Sequence, residues 1–263
     1  MSHSPRTPLI AGNWKMNFDH LQAIAFVQKL GWSLQDAKHD PAAVEVAVFP
    51  PFTDLRSVQT LLAADKLKLK LGAQDVSAEA PGAFTGDIAA QFLAKLECEY
   101  VIVGHSERRH GHAETDETVG QKAAAAAKAG ITPIICVGET AEDLEQHGAA
   151  KVPVEQLSAA LGHLPEKSSF VVAYEPVWAI GSGEAASPEQ AQEVARALRD
   201  TMQQLRGDEV AEQTRILYGG SVKSDNIASF MKQTDIDGAL IGGASLQVEE
   251  FSRIIQFPKH VTA

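Results

Sequence analysis

Residues 170 to 183, FVVAYEPVWAIGSG, place a carboxylate where strand chemistry alone gives no reason for one. Phe170 to Ala173 are the apolar, partly β-branched run of a buried strand, and Glu175 follows two residues later. Pro176 cannot donate to a ladder and biases Glu175 toward an extended backbone; Val177, Trp178, Ala179 and Ile180 then make an apolar flap ending at Gly181. Other chemically able groups stand at the ends of other apolar runs: Asn13 and Lys15 in AGNWKMN, His105 and Glu107 in GHSERR, Gly219, Gly220 and Ser221 in YGGSV, Gly242 and Gly243 in IGGAS. Together they offer a base, an imidazole, an ammonium and glycine turns whose N–H groups can face an anion. Singly, each has a plainer use. Lys15 is a solvated lysine, His105 a cap, Glu107 the ion-pair partner of Arg108 or Arg109, and the glycines tight turns.

The elements that must carry these groups are legible as short apolar runs followed by amphipathic stretches. The runs are Leu9 to Gly12, Val44 to Phe49, Leu67 to Ala73, Tyr100 to Val103, Thr132 to Val137, Phe170 to Tyr174, Ile216 to Tyr218 and Ala239 to Ile241. Helical patterns lie between them, among them Leu21 to Leu34, Thr115 to Ala129, Pro188 to Leu205 and Ser245 to Ile255. Ser187 before Pro188 is an N-cap followed by a favourable first residue. Near-continuous apolar strands alternating with helices predict an α/β fold with a parallel sheet, and eight units in 263 residues suit a closed (β/α)8 barrel. A doubly wound open sheet is the runner-up, but Gly12-Asn13-Trp14-Lys15 is no dinucleotide-binding turn. No linker divides the chain, so residues 1–263 read as one domain, with 1–7 a loose extension. In such a barrel the C-terminal strand ends form one rim, which gathers the groups above.

The net charge of −11 argues against a nucleic-acid or anionic-membrane surface and requires any phosphate site to be built locally. Cys98 and Cys136 make neither a disulfide framework nor a metal spacing, and no stretch is long and apolar enough for a leader or a membrane span. A cytoplasmic protein is the expectation.

The motifs AGNWKMN, GHSERR, AYEPVWAIGSG, YGGSV and IGGASL, in order from Ala11 to Leu246, closely resemble the triosephosphate isomerase family. That resemblance implies a TIM barrel that interconverts dihydroxyacetone phosphate and D-glyceraldehyde 3-phosphate through an enediolate, with no cofactor and no metal. It implies Glu175 as base, His105 as neutral electrophile, Lys15 and Asn13 at the oxyanion, and Glu107 in support. It puts the phosphate on Gly181, Ser221, Gly242 and Gly243, and makes Pro176, Val177, Trp178, Ala179, Ile180, Gly181 and Ser182 a lid. Closure over Glu175 would expel water and raise its basicity. Ile180 and Leu240 resemble the apolar pair that clamps Glu175, and Cys136 reads as a small buried thiol. Two positions depart from the family pattern: the lid ends Gly181-Ser182-Gly183-Glu184 rather than Gly-Thr-Gly-Lys, and Asp75 replaces a common asparagine near the expected subunit contact.

Ala73 to Gly86, AQDVSAEAPGAFTG, is too long for an ordinary βα loop and carries Ala80, Pro81, Ala83 and Phe84 at its tip. It resembles the family's interdigitating arm, which implies a homodimer with Thr85 approaching the partner's Asn13 and Lys15. Two other functions remain open on sequence grounds: a Schiff-base aldolase working through Lys15, and an inactive sugar-phosphate-binding protein.

Overall fold

In the computed structural model, which describes residues 6–179 and 186–259, eight parallel strands close into a barrel in chain order. They are β1 (Leu9–Asn13), β2 (Glu45–Phe49), β3 (Lys70–Ala73), β4 (Tyr100–Val103), β5 (Thr132–Val137), β6 (Val171–Tyr174), β7 (Ile216–Tyr218) and β8 (Gly238–Ile241), with β1 paired to β8. The strands are apolar almost throughout because both of their faces are buried. Alternate residues point inward: Leu9, Phe49, Ile102, Ile134, Cys136 and Leu240 belong to one compact stack that fills the barrel. The intervening residues, such as Ile10, Val48, Val101 and Val172, pack outward against the helices. Gly72 makes the stack possible, since a Cβ there would sit 2.1 Å from the Phe49 ring. With the interior filled by this stack, the barrel holds no central channel, and the strand ends are where a site can be built.

Capping sets several of the helices in place. Asp19 accepts from the backbone N–H groups of Leu21 and Gln22 at the start of His20–Asp36, and Ser187 with Gln190 makes a reciprocal capping box for Pro188–Arg206. The latter helix buries Val194, Leu198 and Met202 on one face.

Two sequence expectations need correction. The run from Leu67 is a strand only over Lys70–Ala73; Leu67 instead packs against Gly31 on the first helix. The pattern from Ser245 to Ile255 is broken into a tight turn, Gly243–Leu246, and a helix, Val248–Ile255, because Gln247 between them is extended. Of the extension expected over 1–7, residues 1–5 lie outside the described residues; Arg6 donates to Asp237 at 2.7 Å and to the Glu212 carbonyl at 2.9 Å.

Candidate active site

One line of contacts crosses the rim from β1 to β6. Asn13, the last residue of β1, is buried, and its Oδ1 accepts the Lys15 backbone N–H at 3.0 Å. Lys15 has φ 54°, a left-handed conformation that costs a non-glycine residue about 1–2 kcal/mol. Its Nζ lies 2.6 Å from Glu107 Oε1. Glu107 occupies the first turn of the helix Ser106–Gly111, whose N-cap is His105. His105 Nε2 in turn lies 2.9 Å from Glu175 Oε1. Lys15, Glu107, His105 and Glu175 are thus assembled from three strand exits that are far apart in sequence.

His105 accepts the Glu107 backbone N–H at Nδ1, 3.2 Å away. An imidazolium carries a proton on both nitrogens, so this bond assigns the neutral ring with its proton on Nε2, directed at Glu175. Burial pushes the ring's pKa down while the Glu175 carboxylate pushes it up, and with the two in contact the balance is upward. The upward push therefore belongs to the contact with Glu175.

Glu175 is 3% exposed, and its second oxygen accepts the Ser106 N–H at 2.9 Å. Burial pushes its carboxyl up, but His105 and the Ser106 N–H pull harder, leaving it below the usual carboxylate range. As held here, both oxygens are engaged and the group is a weak base; the expected rise in basicity on closure depends on a flap that runs beyond the described residues. Gly219 gives the side chain room, since a Cβ there would come 2.9 Å from Glu175 Cγ.

The other rim residues fall around this line. A Cβ on Gly242 would lie 3.3 Å from Lys15 Cε, so the β8 exit and the lysine are neighbours. Gly243 opens the short turn Gly243–Leu246 and is exposed. Ser221 is also exposed, its carbonyl accepting from Asn226, and it stands apart from the line of bonds. Leu240 belongs to the barrel stack. Of the expected lid, Pro176 leads into a 3₁₀ turn, Val177–Ala179, whereas Ile180, Gly181 and Ser182 lie outside the described residues.

Glu107 does not pair with its sequence neighbours. Arg109 reaches Asp116 at 2.5 Å and the Gly104 carbonyl at 2.8 Å, and Arg108 reaches Glu114 and Asp75. Asp75 is likewise no stray surface charge: Lys122 bonds both of its oxygens, at 2.8 and 3.0 Å, and also Glu114. Cys136 is fully buried, and burial pushes its thiol well up. Among the described residues no group of His, Cys, Asp and Glu is placed to hold a metal ion.

Two residues that hold the rim in shape went unread in the sequence. Gln74 donates to the Lys15 and Phe49 carbonyls, both at 2.8 Å. Glu139, fully buried, accepts from Trp178 Nε1 at 2.7 Å and from Tyr174 OH at 2.9 Å, anchoring the start of the flap. Their partners are 25 to 59 residues away, beyond any local spacing rule.

A sequence model of the family described as Triosephosphate isomerase matches residues 8–258. The chain is 69% identical to the triosephosphate isomerase of Leifsonia xyli, over 97% of this chain and 99% of that protein. It is 56% identical to the enzyme of that name from Streptomyces coelicolor, over 96% and 98% of the two chains. Against the Corynebacterium efficiens relative the identity is 55%, over 97% of each chain.

Proposed function

From the premise that the chain belongs to the triosephosphate isomerase family and interconverts dihydroxyacetone phosphate and D-glyceraldehyde 3-phosphate, we propose how this rim performs the reaction. The observation that carries the reading is the 2.9 Å contact between Glu175 and His105, which keeps base and donor together. The substrate phosphate binds at Ser221, Gly242 and Gly243, with Gly181 completing the site and Lys15 alongside offsetting the charge. The carbonyl oxygen then competes for the Nε2–H of His105, and Glu175 swings free of His105 and of the Ser106 N–H. Losing both partners in a dry site raises its basicity. Its carboxylate takes the proton from the carbon beside the carbonyl, and the C–H electron pair forms the carbon–carbon double bond of an enediolate. His105 moves a proton between the two oxygens, Glu175 returns its proton to the neighbouring carbon, and Asn13 and Lys15 stabilise the oxyanion. The lid 176–182 excludes water, with Glu139 holding Trp178 at its base. Lys15 is ion-paired with Glu107, which suits an ammonium rather than the free amine an aldolase would need. Turnover in D₂O should leave solvent deuterium on the carbon beside the carbonyl, because a carboxylic acid exchanges its proton; product free of deuterium would indicate hydride transfer and overturn the scheme.

We further propose one catalytic domain that works as a homodimer in the cytoplasm, on a small-molecule substrate, with no cofactor and with neither nucleic acid nor membrane as a partner. Support for the dimer comes from the arm after β3. Residues 79–87 are exposed, yet the arm's base is stapled by Ser77 to Asp87 at 2.6 Å and to the Ile88 carbonyl at 2.8 Å. Phe84 at its tip is 45% exposed, and Met16, next to Lys15, is 97% exposed. An ordered arm with an uncovered aromatic tip and a bare methionine beside the site fit a second copy that covers both. No described helix is long and apolar enough to cross a membrane.

A further inference from the structure

The segment leaving β3 supplies none of the groups assigned to the chemistry, yet its first residue reaches the exits of two other strands. Gln74 uses its amide hydrogens on the Lys15 and Phe49 carbonyls, both at 2.8 Å. Lys15 is held in its left-handed conformation from two sides: Asn13 Oδ1 takes its N–H at 3.0 Å, and Gln74 holds its carbonyl. The Asn13 bond leaves the next peptide plane free to rotate. The Gln74 bond fixes that plane, and Met16 beyond it is too exposed to hold it by packing.

We propose that Gln74 is a positioning residue for Lys15, setting the backbone from which the ammonium reaches the β8 exit and an anionic substrate. This rests on the phosphate and oxyanion role given to Lys15 above. The requirement is for an amide donor. Methionine has similar length and no N–H, and a glutamate carboxylate would face two carbonyl oxygens with nothing to donate.

The test compares Gln74→Met and Gln74→Glu with the unsubstituted protein. It measures kcat and KM separately, competition by inorganic phosphate, and thermal midpoint. Losing the bond to Lys15 should raise KM and weaken phosphate competition about 5- to 20-fold in Gln74→Met, with a small change in thermal midpoint. Gln74→Glu should be worse on every kinetic measure. Adding Gln74→Met to Lys15→Met should change KM and phosphate competition less than twofold further, because the glutamine acts through the lysine. A Gln74→Met enzyme with unchanged KM and phosphate competition, or one whose loss is undiminished in the Lys15→Met background, overturns the proposal. If Lys15→Met itself binds phosphate normally, the role of Lys15 falls, and the positioning role falls with it.

Discussion

His105 accepts at one nitrogen and donates at the other, and that division follows from its place as an N-cap: the N–H two residues on fills the Nδ1 lone pair and leaves the only proton on Nε2. A solvated histidine in the same motif would titrate between pH 5 and 8. Here burial pushes the ring down and Glu175 pushes it up more strongly. Glu175→Gln removes the upward push and leaves burial, so the ring's midpoint should move to lower pH, as followed by NMR of its side-chain nitrogens. A midpoint that stays put or rises would show that the carboxylate does not govern the ring. The complementary effect belongs to Glu175, whose depressed pKa stabilises the fold above its ordinary value of 4.5 and loses that contribution as pH falls through the depressed value. The same variant should therefore show a flatter loss of thermal stability in acid than the unsubstituted protein.

Between elements, the segment after β3, the helix Ser106–Gly111 and the helix Asp116–Lys128 are joined by Asp75, Arg108, Glu114 and Lys122. The two carboxylates are not equivalent. Burial outweighs the cations at Asp75 and raises its carboxyl, whereas at Glu114 burial is outweighed by the bonds from Lys122 and Arg108. Burial offsets part of what Lys122 and Arg108 contribute at Asp75, so Asp75→Asn, which leaves both cations on Glu114, should cost less at pH 7 than Glu114→Gln. Glu114→Gln breaks a buried pair and should lose about 3 kcal/mol. Denaturant unfolding of both variants decides this, and a larger loss for Asp75→Asn would reverse the assignment. Strand positions were legible in the sequence where both faces are buried, as for Tyr100–Val103 and Thr132–Val137, and blurred at Leu67, whose apolar character serves a helix contact instead. The groups proposed for the chemistry were legible because they stand directly at strand ends. Gln74, which bonds the Lys15 backbone, and Glu139, which bonds Trp178 at the start of the flap, are ordinary in type, and their importance lies in partners that only the closed barrel brings near.

At the scale of the whole molecule, a filled barrel presents one rim, and the arm after β3 extends from it with its aromatic tip uncovered. Phe84→Glu should yield monomers of 28.1 kDa in sedimentation and lower turnover by at least tenfold, with Glu175 and His105 intact but Lys15 less firmly held. Full activity in such a monomer would remove the arm from the account. The central claim is that the fold brings Glu175 to this rim to move a proton, holding it against His105 until substrate displaces it. Turnover of Glu175→Gln in a coupled isomerase assay, with inorganic phosphate binding measured alongside, tests this most directly. Phosphate affinity should stay within about threefold of the unsubstituted protein while turnover falls by ~10²–10⁴-fold or more; turnover within tenfold would show that Glu175 does not move the proton.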